Sequence, residues 1–79
     1  MNKLSDVAKR GIETTWEAIA SDVGGVDDNE IAVEICIDAN RVSMFAGEAA
    51  EKEIKEYMSQ FDEYFEALKA ISEQVTLVW

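Results

Sequence analysis

Hydrophobic residues in the C-terminal half recur at steps of three and four positions, which is the spacing of one helical face. Residues 47–73 therefore predict one long amphipathic helix, whose apolar stripe comprises Ile54, Met58, Phe61, Phe65 and Leu68. Tyr57 and Tyr64 flank this stripe, and we expect all of these aromatic rings to lie in the core. The opposite side of the helix contains the carboxylates Glu48, Glu51, Asp62, Glu63, Glu66 and Glu73.

Residues 5–23 predict a first helix with the same kind of stripe, formed by Ile12, Trp16, Ile19 and Val23. Ser5 is the expected N-cap, and Asp6 in the first turn suits the positive end of the helix dipole. Gly24 and Gly25 are expected to end this helix, because glycine readily adopts the left-handed conformation after a last turn. Gly11 is either a weak point of the helix or a place where another element approaches closely.

Between the two predicted helices the hydrophobic period changes to two. Residues 30–38 alternate as a half-buried strand does, and their β-branched side chains favour a strand over a helix. Residues 41–46 predict a partner strand, with a tight turn at residues 39–40. In this register the apolar residues of both strands share one face. A slip by one position would place apolar residues opposite polar ones. Residues 74–79 alternate in the same way and predict a third strand.

These elements predict an α+β fold with the order α-β-β-α-β, in one domain covering residues 1–79. A right-handed crossover places the third strand beside the first, so the three-stranded antiparallel sheet has the order 3-1-2. Both helices cover one face of the sheet. The open face then includes Glu34, Phe45 and Val78 and is a candidate dimer or partner surface. The alternative is that these are scattered surface hydrophobic residues.

The residue types exclude several chemistries. The chain has no histidine and one cysteine, which rules out Ser-His-Asp and Cys-His arrangements and the usual zinc sites. Residues 27–30 form an acidic cluster, but they lack the spacing of a calcium-binding loop. No glycine-rich phosphate loop precedes a helix. We therefore predict no catalytic residue, no metal site and no cofactor, and we expect Cys36 to be structural.

Two further absences in the sequence bear on location. No apolar run approaches the roughly 20 residues of a membrane span, so we expect no membrane contact. We also expect no secretory signal, because no basic segment precedes an apolar one at the start of the chain. The single cysteine cannot form an internal disulfide, and a reducing cytoplasm is the expected compartment.

The charge is the strongest compositional feature. Seventeen acidic and seven basic residues give a formal net charge of -10, which repels nucleic acid and attracts a basic protein surface. Carboxylates four positions apart on a helix stand about 6 Å apart, close to the phosphate spacing of a DNA strand. We predict that the partner-binding residues are first Asp62, Glu63 and Glu66, and then Asp22, Asp27, Asp28 and Glu30. The alternative is a charged surface that only maintains solubility.

In its size, its acidity, its lack of histidine and proline, and its α/β plan with an acidic helix, the chain resembles the small acidic inhibitors encoded by bacteriophages. These include anti-CRISPR proteins and DNA mimics. The resemblance implies a non-enzymatic inhibitor in the cytoplasm of a bacterial host. Such an inhibitor would occupy the nucleic-acid-binding surface of a complex such as a CRISPR effector. The class has no shared signature residues, so no site residue follows from the resemblance. The alternative is a structural or antitoxin-like adaptor subunit that dimerises, or docks through the open sheet face.

Overall fold

The computed structural model describes residues 3–24 and 26–77, and within these ranges it contains helices and no β-strand. The α-helices are α1 (Asp6–Val23), α2 (Asn29–Ile37), α3 (Arg41–Ala46), α4 (Glu48–Met58) and α5 (Tyr64–Ser72). A 3-10 turn, Asp38–Asn40, joins α2 to α3. The predicted α+β fold is therefore wrong, and the arrangement is all-α.

Helix α1 is the element that the sequence predicts most closely. The Ser5 hydroxyl accepts a hydrogen bond from the Ala8 amide (3.1 Å), which confirms the predicted N-cap. The helix ends at Gly24, whose φ of 58° lies in the left-handed region that glycine tolerates. The buried face of α1 includes the predicted core residues Ala8, Ile12, Trp16 and Ile19.

Gly11 permits a close approach between helices. A Cβ atom at this position would lie 2.7 Å from the Ala50 Cβ atom and 3.4 Å from the Val42 Cγ1 atom. Helices α3 and α4 therefore pack directly on the backbone of α1, which confirms the second of the two roles predicted for this glycine.

The predicted hairpin over residues 30–46 is wrong, because residues 29–37 form a helix. The Asp28 carboxylate caps α2 by accepting hydrogen bonds from the Glu30 amide (2.8 Å) and the Ile31 amide (3.4 Å). The buried residues of α2 are the helically spaced Ala32, Val33 and Cys36. The first predicted strand places its alternating apolar residues toward the core. Of these, Val33 is fully buried, whereas Ile31 is 47% exposed.

Small side chains explain why the helix is favoured here. Ala32 and Cys36 lie on the inner face of α2 and are fully buried, and the Cys36 Sγ atom lies 3.8 Å from the Ile12 carbonyl oxygen of α1. A helix places these small residues against α1, where they allow close packing. The strand that we predicted would have turned them away from the core.

The tight hairpin turn predicted at residues 39–40 is a kink between two helices. Ala39 and Asn40 have φ values of 56° and 58°. The left-handed conformation is common for asparagine and unfavourable for alanine. After this kink, the Arg41 guanidinium donates a hydrogen bond from Nη1 to the Ile35 carbonyl oxygen (2.8 Å). This bond connects α3 to the end of α2.

The single helix predicted over residues 47–73 is also wrong, because it is interrupted after Met58. The Ser59 hydroxyl donates to the Glu56 carbonyl oxygen (2.6 Å), and the Gln60 amide bonds to the Tyr57 carbonyl oxygen (3.2 Å). Such local bonds compete with the continuing helical pattern. Glu63 is then extended before α5 begins.

This interruption changes which residues of the predicted stripe are buried. Ile54 and Leu68 are in the core, and Met58 and Phe61 are half-buried against it. Tyr64 and Phe65, in contrast, are 46% and 64% exposed. The expectation that every aromatic ring of this segment lies in the core is therefore wrong for these two residues.

The predicted third strand is absent over residues 75–77, and residues 78 and 79 lie outside the described part of the chain. Val75 and Leu77 are nevertheless buried. The Asn29 side chain donates to the Ser72 (2.6 Å) and Val75 (2.9 Å) carbonyl oxygens and accepts from the Leu77 amide (3.2 Å). Asn29 thus binds the C-terminal segment to the start of α2.

Candidate partner-binding surface

Helices α2 and α5 pack against each other and run in opposite directions. At one end, Asn29 at the start of α2 bonds to Ser72 at the end of α5. At the other end, Tyr64 at the start of α5 lies near Glu34 and Asp38, close enough for both carboxylates to act on its phenol. This antiparallel pairing decides which acidic residues of the two helices are neighbours.

The first predicted group of partner-binding carboxylates lies at the start of α5. Asp62 and Glu63 are exposed in the bend between α4 and α5, and Glu66 is exposed in the first turn of α5. In the described part of the chain, the ion pairs are Lys9–Asp6 (3.8 Å) and Lys55–Glu51 (3.4 Å). The three predicted carboxylates therefore take part in no ion pair there.

The α2–α5 pairing adds two carboxylates to this group. Burial raises the pKa of the Tyr64 phenol above its ordinary value of 10.0, and the negative charges of Glu34 and then Asp38 raise it further. Asp62, Glu63 and Glu66 all lie within two residues of Tyr64 along the chain. We call two sets of carboxylates together the acidic surface. Glu34 and Asp38 act on Tyr64 from α2, and Asp62, Glu63 and Glu66 lie at the start of α5.

The helix dipole distinguishes the members of the acidic surface. Acidic residues at the start of a helix stabilise it, so Glu63 and Glu66 have a favourable effect on α5. Glu34 and Asp38 lie at the end of α2, where the dipole disfavours negative charge and where the last turn contains no basic residue. Helix stability therefore explains why Glu63 and Glu66 are acidic, but it does not explain why Glu34 and Asp38 are.

The second predicted group lies at the opposite end of the α2–α5 pair. Asp22 and Asp27 are exposed before α2, Asp28 caps α2, and Glu30 is half-buried in its first turn. The nine residues of α2 span about 13 Å. The length of α2 therefore separates Asp28 from Asp38, whereas Glu30 lies one helical turn from Glu34. Asp28 has a structural role that the sequence prediction did not include.

The open sheet face predicted from Glu34, Phe45 and Val78 does not exist among residues 3–24 and 26–77. Glu34 lies on α2 and Phe45 lies on α3, whereas Val78 is outside the described residues. Phe45 is 41% exposed and lines a groove of about 400 Å³, together with Val7, Arg10, Gly11, Thr14, Ala46 and Ala50. Phe45 thus remains at the surface, although the reason for expecting it there was wrong.

Asp38, Tyr64 and Phe65 are not among the predicted binding residues, yet the chain contains signals for them. Residues 11–40 include no lysine or arginine but eight acidic residues: Glu13, Glu17, Asp22, Asp27, Asp28, Glu30, Glu34 and Asp38. Asp62 and Glu63 are typical of a helix start, and they indicate the interruption before Tyr64. An aromatic residue in the first turn after such an interruption has fewer neighbours to cover it.

The carboxylates and the thiol of the described residues bear on metal binding and on nucleophilic chemistry. No three carboxylates or thiols of residues 3–24 and 26–77 lie close enough together to hold a metal ion. Burial raises the pKa of the Cys36 thiol to about 12, and the Arg41 charge opposes this only in part. Cys36 is therefore not a reactive thiol at neutral pH. None of the described helices combines the length and the apolar character needed to cross a bilayer.

Comparison with known proteins adds no relative to this picture. No protein-family model matches the chain, and no curated protein and no solved structure matches it either. The functional interpretation of the acidic surface is therefore drawn from its residues alone.

Proposed function

We propose that this protein is a non-enzymatic binding module that occupies a basic, nucleic-acid-binding surface of another protein and blocks it. The setting we propose is that of a phage inhibitor in the bacterial cytoplasm, with a complex such as a CRISPR effector as its target. The observation that supports this proposal is the acidic surface, where Glu34 and Asp38 of α2 act on Tyr64 and further carboxylates lie at the start of α5.

Electrostatics explains why such a surface would bind where nucleic acid binds. Glu30 and Glu34 lie one helical turn apart on α2, so they form a row of two carboxylates about 6 Å apart. Lysines and arginines that contact successive phosphates can contact such a row instead. The net charge of -10 speeds the encounter with a basic surface and makes binding sensitive to salt.

The experiment measures DNA binding by a purified CRISPR effector complex in the presence of this protein, at low and at high salt. One variant combines Asp62→Asn, Glu63→Gln and Glu66→Gln. A control variant removes the same charge from three other exposed residues, by Glu13→Gln, Glu17→Gln and Glu56→Gln. We expect the wild type and the control to block DNA binding at low salt, and the first variant to block it far less.

Two results would count against the proposal. If the two variants lose inhibition equally, net charge matters and the acidic surface does not. If the wild-type protein leaves DNA binding by the effector unchanged at low salt, the proposed target is wrong.

We propose as a second candidate that the protein is an interaction subunit that forms a homodimer through Phe45. The observation in its favour is that Phe45 is exposed beside an apolar groove lined by Val7, Ala46 and Ala50. Light scattering distinguishes the two candidates. A dimer that persists at high salt and dissociates on Phe45→Glu substitution supports this second proposal, and a monomer at all concentrations rejects it.

A further inference from the structure

The start of α5 exposes two aromatic rings side by side. Tyr64 is 46% exposed and Phe65 is 64% exposed. Their ring centroids are 5.5 Å apart and the rings meet edge to face at 73°. In a small domain with a thin core, two rings left at the surface forgo burial that would stabilise the fold.

The surroundings of this ring pair are negatively charged. Asp62 and Glu63 precede it along the chain, Glu66 follows it, and the charges of Glu34 and Asp38 on α2 act on Tyr64. Basic residues are few in this region: Lys69 lies one turn farther along α5, and Arg41 donates a hydrogen bond to a carbonyl oxygen of α2. The site thus combines two exposed aromatic rings with carboxylates that take part in no ion pair among the described residues.

We infer that the Tyr64–Phe65 ring pair and the acidic surface around it form a binding site for arginine side chains of a basic protein partner. This inference rests on the proposed function and specifies its chemistry. A guanidinium is planar, so one face can stack on a ring while its N–H groups bond to a carboxylate in pairs. A lysine ammonium is attracted by the same charges, but it cannot stack or form the paired bonds.

Charge complementarity excludes the other occupants of an exposed aromatic surface. Nucleic acid would stack on the rings, but its phosphates are repelled by the carboxylates. An anionic membrane is repelled for the same reason. A second copy of this chain would bring two acidic surfaces together at a net charge of -10 each. A partner with arginine side chains fits both properties of the site, because the guanidinium is positively charged and planar.

The test measures how tightly the full chain binds two fluorescent peptides of equal length, one containing only arginine and one containing only lysine as its basic residue. Both peptides have the same charge, so the acidic protein attracts them with equal electrostatic strength. We expect the wild-type protein to bind the arginine peptide about three- to tenfold more tightly, which corresponds to one or two cation–π contacts.

Two substitutions separate the rings from the charges. Phe65→Leu keeps an apolar side chain and removes the ring, and it should remove most of the preference for arginine while weakening lysine-peptide binding much less. The paired substitution Glu34→Gln with Asp38→Asn should weaken both peptides alike. Met44→Leu is the control on another exposed apolar residue and should change neither peptide. Phe65 is largely exposed, and circular dichroism checks that the variant remains folded.

Equal binding of both peptides by the wild type would overturn the inference, and so would a preference for arginine that survives in both Phe65→Leu and Tyr64→Leu. These outcomes are distinct from failure of the proposed function. Loss of the arginine preference, with salt-sensitive inhibition of DNA binding retained, rejects the arginine site alone. A preference for arginine without such inhibition rejects the proposed target and leaves the arginine site in place.

Discussion

Single residues decide how closely the helices of this protein approach, and Gly11 is the clearest case. Alanine is the better helix former by about 1 kcal/mol, so helix propensity alone favours Gly11→Ala. The new Cβ atom would lie 2.7 Å from the Ala50 Cβ atom, and neither atom belongs to a flexible side chain. We expect Gly11→Ala to lower the free energy of unfolding by about 1–3 kcal/mol in urea denaturation.

A compensating substitution tests this explanation. Ala50→Gly removes the opposing Cβ atom, so the double variant should recover part of the stability that Gly11→Ala loses, and the two changes should not be additive. An unchanged or increased stability of Gly11→Ala would contradict the close approach of α1 and α4.

The Cys36 thiol should make the fold sensitive to alkaline pH. Its pKa is raised to about 12 in the folded protein from an ordinary 9.0, because burial disfavours the thiolate. A group with a raised pKa contributes full stability below its unfolded value, and this contribution is lost as the pH rises. We therefore expect the free energy of unfolding to fall between pH 9 and pH 12, with a slope of up to about 1.4 kcal/mol per pH unit.

Urea denaturation at a series of pH values measures this decline. Tyr64, whose pKa is also raised, contributes a decline of the same sign above pH 10.0. A Cys36→Ala variant lacks the thiol and should show a clearly smaller decline than the wild type. Identical declines in the two proteins would show that the thiol is not responsible.

At the scale of elements, α2 has acidic residues at both ends, and the two ends should respond in opposite ways. The Asp28 carboxylate caps the start of the helix, so Asp28→Ala should destabilise the protein by about 1 kcal/mol. Glu34 and Asp38 lie at the end that the dipole disfavours. We expect Glu34→Gln with Asp38→Asn to stabilise the protein by about 0.3–1 kcal/mol and to weaken its binding to basic partners.

Thermal denaturation and partner titration together measure this trade-off. A stabilising effect without loss of binding would place the function elsewhere on the molecule. A destabilising effect would indicate that Arg41, which bonds to the end of α2, depends on these two carboxylates.

Elements also mark the point where reasoning from the sequence fails. The segment 29–37 contains apolar residues at so many positions that it satisfies both the strand period and the helical period. Its β-branched residues favoured a strand. Packing favoured a helix, because the helix directs Ala32 and Cys36 toward α1. Tertiary contact overrides local preference in such short runs, since the two local alternatives differ by little.

At the scale of the whole molecule, the net charge of -10 opposes compactness. The described part of the protein measures 32 × 23 × 20 Å. At about 0.01 M salt, charges interact over about 30 Å, which is across the entire molecule, whereas at 0.15 M the range is about 8 Å. We therefore expect added salt to raise the melting temperature while it weakens binding to a basic partner.

Differential scanning calorimetry over this range of salt measures the first effect. The variant that combines Asp62→Asn, Glu63→Gln and Glu66→Gln carries three fewer negative charges, so its melting temperature should rise less. A melting temperature that is independent of salt in both proteins would mean that charge repulsion does not limit the stability of the fold.

The sequence by itself determined the features that depend on neighbouring residues and on composition. The Ser5 cap, the stripe of α1 and its end at Gly24 follow from contacts within a few positions. The absence of histidine and the excess of acidic residues are properties of the chain in any fold. The exposed position of Asp62, Glu63 and Glu66 follows from their unpaired charge.

The tertiary structure alone decided the features that join distant residues. Glu34 and Tyr64 are thirty positions apart, and they become neighbours because α2 and α5 pack in opposite directions. The choice of helix over strand at residues 29–46, and the exposure of Tyr64 and Phe65, likewise depend on which surfaces pack together. Packing is a sum of many weak contacts between separate segments, and no local pattern in the sequence records that sum.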